Sequence, residues 1–283
     1  RQMCIRDSQY LSMYSFNTDS YYAFGKTPVS VQSIYETVTA NPLVTWETAK
    51  TWNIGFSSQF LNGKLGLDLD YFQSNRNDIL ITRNASIPTY SGLSLPAENL
   101  GKVKNHGFEA IATYRDSKGD FEWGVTGNVT YAKNEVVYAD EAADTPAWQR
   151  ETGHPIDGGT YYKALGIYQT QEQIESTPHL SGTKIGDLIY QDTNKDGNIT
   201  WDDAVRRDKS ATPKWIFGLT LNGSWKGMDV NAFFQGQADA EILVQPTMNM
   251  ATDFYEGRWS ESNTAEQNAA AKWPRAFMKA SSV

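Results

Sequence analysis

The chain has 283 residues, 25 basic against 33 acidic side chains, a net charge of -8 and a single cysteine, Cys4. That balance disfavours nucleic acid as a partner, because phosphate binding needs clustered Lys and Arg, and one cysteine excludes a disulfide framework or a cysteine-rich zinc site. No apolar run approaches the roughly 18 residues of a transmembrane helix, and residues 1–30 are not expected to act as a signal peptide.

Nine Trp, fifteen Tyr and twelve Phe among 22 Gly suit a β protein with amphipathic strands. Residues 1–8 hold the cysteine and show no alternation. They read as foreign to the rest of the chain and are set apart from a domain spanning 9–283. From 51 to 61, Trp52, Ile54, Phe56 and Phe60 fall on one face, with Asn53, Gly55, Ser57 and Gln59 on the other. Asn62-Gly63 then signals a tight hairpin, since both residue types tolerate positive φ. The return strand sets Leu65, Leu67, Leu69 and Tyr71 against Gly66, Asp68 and Asp70.

A second pair repeats the plan. Phe108, Ala110, Ala112 and Tyr114 alternate with Glu109, Ile111 and Thr113. A turn around 116–119 leads into Phe121, Trp123, Val125, Val129 and Tyr131, alternating with Glu122, Thr126, Asn128 and Thr130. The third pair carries Trp215, Phe217, Leu219, Leu221 and Trp225, turns at Lys226-Gly227, and returns through Met228, Val230, Ala232 and Phe234. Period 2 thus persists for about 10 residues per strand, the length a tilted strand needs to cross a bilayer.

Within each pair the turn is short, whereas 74–105, 133–212 and the stretch beyond 237 are long links. In an antiparallel meander the short turns share one end and the long loops the other. This asymmetry predicts an all-β fold, part of a large antiparallel transmembrane β-barrel with long extracellular loops, of which 135–212 is a long excursion. Lumen-facing polar residues and lipid-facing apolar ones follow from the alternation, with aromatics at the strand ends forming girdles. The competing architecture is a soluble β-sandwich whose aromatics form the core.

One motif carries specific chemistry. Asp192, Asn194, Asp196, Gly197, Asn198 and Asp203 fit the D-x-[DN]-x-[DN]-G calcium loop. Asp192, Asn194 and Asp196 would offer side-chain oxygens, Asn198 its backbone carbonyl, and Asp203 the closing carboxylate in place of the usual Glu. The expected cofactor is structural Ca2+; the alternative is a solvated Asx-rich turn. His106, His154 and His179 lack metal spacing, and Asn84, Asn128, Asn198 and Asn222 merely begin N-x-[ST] triplets. No acid–base pair or nucleophile can be assembled, so no enzyme is expected.

Several segments resemble one family. Asn41, Pro42, Leu43, Trp46, Glu47 and Thr48, running into Asn53 and Gly55, look like the "NP-L-WE-T…N-G" opening of a barrel strand in the SusC/RagA family of TonB-dependent outer-membrane transporters. Asp70, Tyr71 and Phe72, with Asp78, Ile79 and Leu80, are similar to the next strand. Asn99, Gly101, Asn105, Gly107, Phe108 and Glu109 resemble "N-G-I-N-GFE". Gly153, Pro155, Ile156, Tyr162, Gly166, Tyr168 and Gln169 resemble "G-P-I…Y…G-F-Q". Gly186, Asp187 and Tyr190 lead into the calcium-type loop as in the family, and Pro213, Trp215, Phe217 and Gly218 resemble the following strand.

The matches keep family order over roughly 9–275. Nothing resembles the family's plug domain or TonB box, so the chain is expected to be an internal piece of the later barrel. The resemblance implies import of a large nutrient, an oligosaccharide or a peptide, across a Gram-negative outer membrane. It also implies a SusD-like surface lipoprotein as partner, contact with TonB through the missing N-terminal part, and membrane lipid around the wall. The rival reading is a soluble extracellular calcium-binding module that binds glycans.

Overall fold

The computed structural model describes residues 10–17, 21–23, 26, 28–30, 32–83, 95–242 and 251–276. The segment 1–8 and Asn84 lie outside them. The chain divides into two units, the first made of 1–145, 151–156 and 212–240, the second of 146–150, 157–211 and 241–283.

The first unit opens with β1 (Met13–Asn17), β2 (Tyr21–Ala23), β3 (Pro28–Ser30) and β4 (Ser33–Val38), which pair as β1 with β4 and β2 with β3. Sequence periodicity did not single these out. Then come β5 (Thr48–Phe60), β6 (Leu65–Thr82), β7 (Ala97–Lys118) and β8 (Phe121–Tyr138). In the second unit, β9 (Thr160–Tyr161), β10 (Ala164–Ile167), β11 (Leu188–Tyr190) and β12 (Val205–Arg206) are short. The chain returns to the first unit with β13 (Trp215–Trp225) and β14 (Met228–Ala238).

The six long strands form one antiparallel sheet in the order β14-β13-β8-β7-β6-β5. All three expected hairpins are present, turning at 61–64, 119–120 and 226–227. Asn62 and Gly63 have φ of 56° and 85°, and Lys226 and Gly227 47° and 83°, the left-handed values a tight hairpin demands. All three turns share one end of the sheet and the long links leave from the other.

The strands outrun the expected length. β6, β7 and β8 have 18, 22 and 18 residues, so the link expected over 74–105 shrinks to 83–96, and Lys133 lies inside a strand. The excursion therefore leaves the sheet after Tyr138. Hydrophobic alternation stops where polar residues take over both faces, but backbone pairing does not. The outer ends of β6 and β7 are stitched by side chains instead. Asn99 Nδ2 donates to the carbonyls of Thr45 (2.9 Å) and Asp78 (2.7 Å), and Asn41 Nδ2 to that of Ala97 (2.8 Å). Asp78 sits at a bulge with φ 58°, and Asn99 satisfies the carbonyl that the bulge leaves unpaired. The resemblance motifs around Asn41 and Asn99 thus close the loop end of the sheet.

Register puts the apolar positions of every strand on one face. Cross-strand partners run Ile54, Tyr71, Phe108, Tyr131 and Trp215 in one row, and Phe56, Leu69, Ala110, Val129 and Phe217 in the next. The opposite face carries Asp68, Asp70, Glu109, Thr126, Asn128, Asn222 and Asn231, interrupted by Ile111, Ile216 and Phe233. The apolar face is uncovered: Ile54 is 66% exposed, Val230 68% and Phe234 58%. Of the buried hydrophobic residues Val136, Tyr168, Ile174, Ile199, Ala204 and Trp259, only Val136 belongs to this unit. A β-sandwich would bury these leucines and aromatics between two layers, so that architecture is excluded.

The second unit carries its own small core. Tyr168 is buried, its hydroxyl hydrogen-bonded to Thr177 Oγ1 (3.1 Å) and to the Pro178 carbonyl. Ile174 lies on α1 (Gln171–Ser176), whose N-terminus has a capping box of Thr170 and Gln173. Further along are α2 (Ala251–Gly257) and α3 (Ala265–Ala269).

Candidate functional site

Three features of the chain can carry function. The first is the apolar band. On β8 it runs from Phe121 to Tyr131 and on β13 from Trp215 to Trp225. Ten residue steps at roughly 3.3 Å, tilted by about 40°, rise roughly 25 Å, the height of the lipid-facing belt of an outer-membrane barrel. Aromatic rings in contact mark both margins. At the loop end, Trp52 meets Tyr71 at 5.3 Å, and Phe108, Tyr131 and Trp215 form a cluster with centroids 4.6–5.9 Å apart. At the turn end, Tyr114 packs on Trp123 at 5.2 Å, with Lys64 and Asp116 paired at 2.6 Å just beyond.

Behind the band lies the polar face. Near the short turns it opens a hollow of about 590 Å3, lined by Arg115, Glu122, Asn222, Ser224, Asp229 and Asn231 among others. Asn231 Nδ2 donates to Asn222 Oδ1 (2.5 Å) across the hairpin. Charged and amide groups of both polarities can hydrogen-bond a polar occupant there. Strand alternation predicts the polarity of this face but not the hollow, which joins residues from separate hairpins.

The acidic loop is the third feature. Asp192, Asn194, Asp196 and Asn198 form a ladder of Asx turns. Asp192 accepts from the N–H of Lys195 (2.7 Å) and Gly197 (2.9 Å), Asn194 Oδ1 from Asp196 N, and Asp196 Oδ1 from Asn198 N. Gly197 has φ 85°, the turn expected at that position. Asp203 behaves otherwise. It is wholly buried and accepts from the N–H groups of Thr193 (2.8 Å), Asn194 (3.3 Å) and Thr200 (2.8 Å), capping the 3-10 turn Trp201–Asp203.

Asp203 is thereby tied to the same loop, through the N–H groups of Thr193 and Asn194 beside the Asx ladder. Among the described residues no group of three or more Asp, Glu, His or Cys side chains is placed to hold a metal ion. The donor types at Asp192, Asn194, Asp196 and the Asn198 carbonyl suit calcium, because each oxygen accepting one N–H keeps a lone pair. By the same count Asp203 Oδ2, which accepts only the Thr200 N–H, keeps a lone pair at the closing position. Burial, and then the charge of Asp203 and Asp202, pushes the neighbouring Tyr162 phenol up from its ordinary value. Burial, helped by Asp187 and Tyr162, does the same to Tyr190.

Sequence reading missed the groups that hold this unit together. Arg275 pairs with Asp187 through Nε (2.5 Å) and Nη2 (3.4 Å). The Trp259 ring lies over Gly186, where an added Cβ would stand 2.7 Å from Cδ2, and Trp259 Nε1 donates to Gln169 Oε1 (3.1 Å). Buried Asn268 joins Ser260 through both its amide oxygen and its nitrogen. No local pattern announces such pairs, which lie far apart in sequence.

Comparison with known proteins places this geometry. TonB-dependent receptor SusC of Bacteroides thetaiotaomicron is 25% identical over 272 residues, covering 94% of this chain and 26% of that protein. TonB-dependent receptor P26 of Formosa agariphila is 28% identical over 214 residues, 72% of this chain and 21% of its own length. The RagAB peptide importer in its open-open state shares the fold with a TM-score of 0.58 at 18% identity, over 82% of this chain and 24% of that one. The chain thus spans about a quarter of the length of the curated relatives it matches. With the family described as "TonB dependent receptor-like, beta-barrel" matching residues 9–273, the chain belongs to the TonB-dependent receptor β-barrel family.

Proposed function

We propose that this chain is a section of barrel wall from an outer-membrane transporter that imports a large nutrient, an oligosaccharide or a peptide. The observation that carries the reading is the two-faced sheet: a band about 25 Å tall, margined by aromatics and uncovered, backed by a polar face. In that role the apolar face meets lipid, because an unpaired carboxylate such as Asp70 is costly there, and the polar face lines the lumen. The excursion after Tyr138 lies on the external side, where a SusD-like lipoprotein would dock, while TonB would act through a part of the protein outside this chain.

The direct test is expression of residues 9–283. A sheet with one uncovered apolar face and two unpaired edge strands should aggregate or require detergent. A soluble, monomeric, cooperatively folding product that binds a glycan would overturn the transporter reading in favour of an extracellular binding module.

Calcium is the proposed ligand of the acidic loop, with Asp192, Asn194, Asp196, the Asn198 carbonyl and Asp203 as its donors. Its role would be to stiffen the second unit. Calcium added to the full-length protein should raise the melting temperature of this unit, since an ion that binds only the folded form stabilises it. Asp192→Ala with Asp196→Ala should abolish the response. An unchanged melting temperature in the unsubstituted protein would leave the loop as a plain Asx turn.

A further inference from the structure

Just beyond the aromatic margin at the loop end, the apolar face changes character without changing register. Trp52, Gln73, His106 and Lys133 are successive cross-strand partners, and the next row outward is Lys50, Asn75, Lys104 and Glu135. These side chains share the face of Phe108 and Tyr131, because β7 and β8 pair without interruption from Val103 to Lys118. From the row of Tyr114 and Val125 to that of Phe108 and Tyr131, the same face carries no charged residue among those described. Three lysines against one glutamate therefore stand together, in a chain whose net charge is -8.

The single acid does little to cancel them. Glu135 lies 3.7 Å from Lys133 Nζ, with both side chains about a third exposed, so the pair is weak. His106 Nδ1 has no hydrogen-bond partner among the described residues. Adjacent strands are about 4.8 Å apart, which sets Lys50 and Lys104 roughly 10 Å from each other and Lys133 one strand further on. Lysine is a phosphate binder as a point charge, and basic residues bordering a hydrocarbon belt capture anionic headgroups.

We infer that Lys50, Lys104 and Lys133 form a docking site for the phosphate-bearing headgroup of a glycolipid in the leaflet on the long-loop side. Acyl chains of that lipid would lie on Ile54, Tyr71 and Phe108, and its sugar would meet Trp52, Gln73 and Asn75. The inference rests on the reading of the apolar band as lipid-facing. Charge complementarity and continuity with that band decide the occupant: a protein partner would need to cover the aromatic margin, which the membrane already covers in that reading. The hollow on the polar face makes a weaker candidate, since it faces the lumen and nothing indicates what fills it.

The test uses the full-length protein in nanodiscs of zwitterionic phospholipid doped with lipid A or with its dephosphorylated form. Lipids retained after detergent exchange are counted by native mass spectrometry. The phosphorylated form should be retained roughly ten-fold better, and K50Q/K104Q/K133Q should remove that preference while K64Q, at the opposite margin, keeps it. Equal retention of both forms, an unchanged preference in the triple variant, or displacement by inorganic phosphate at matching concentration would each overturn the site. A fluorophore on Leu219→Cys separates this failure from failure of the underlying reading. Quenching by mid-chain brominated lipid upholds the band as lipid-facing whatever the headgroup result, and absence of quenching removes both.

Discussion

Gly107 shows how much a single residue of the wall is constrained. A Cβ there would overlap the Tyr131 carbonyl oxygen and lie 2.8 Å from Phe72 Cζ, so β7 and β8 can approach as they do only with glycine at that position. Gly107→Ala should force the two strands apart and destabilise the barrel by roughly 1–3 kcal/mol, read as a lowered unfolding midpoint of the full-length protein in detergent. A midpoint equal to that of the unsubstituted protein would mean that the strands part without cost. The glycine of the "GFE" motif thus has a steric explanation. Gly186 has another, since the Trp259 ring fills the space where its side chain would be.

Each long strand does two jobs with one alternation. Leu219 on β13 belongs to the apolar face and Asn128, one strand away, to the polar face, although Asn128 and Gly218 are direct partners. A charge introduced at the two positions should therefore have opposite consequences. Leu219→Arg should cost about 2–4 kcal/mol and reduce insertion, while Asn128→Arg should be tolerated, as judged by heat-modifiable migration of membrane fractions. Comparable losses for both would contradict the two-faced wall. The outer thirds of β6, β7 and β8 obey a different rule. There hydrophobic alternation no longer sets the pattern, and Asn41 and Asn99 hold the ladder together by binding carbonyls at the bulge and strand ends.

At the scale of the whole molecule the two units divide the work: a wall that buries only Val136 among its described hydrophobic side chains, and a second unit with a small core. Replacing 157–211 by a short linker in the full-length protein should leave the strands able to insert while nutrient uptake falls. Membrane-inserted protein with full uptake would remove the excursion from the transport cycle. Much of the wall was legible in the sequence. Period-2 alternation, the turns at Asn62-Gly63 and Lys226-Gly227, and the contrast of short and long links determined the sheet, its faces and its direction, because facing and φ are local properties. Only the tertiary structure decided how far the strands run beyond the band, since pairing there depends on neighbours and not on hydrophobicity. It also decided where Asp203 points and what Arg275, Trp259 and Asn268 hold. Asp203 is buried among the N–H groups of Thr193, Asn194 and Thr200, contacts that the spacing of the loop motif does not announce. The Arg275–Asp187 pair joins residues 88 apart, a separation at which no spacing rule operates and packing alone selects the partner.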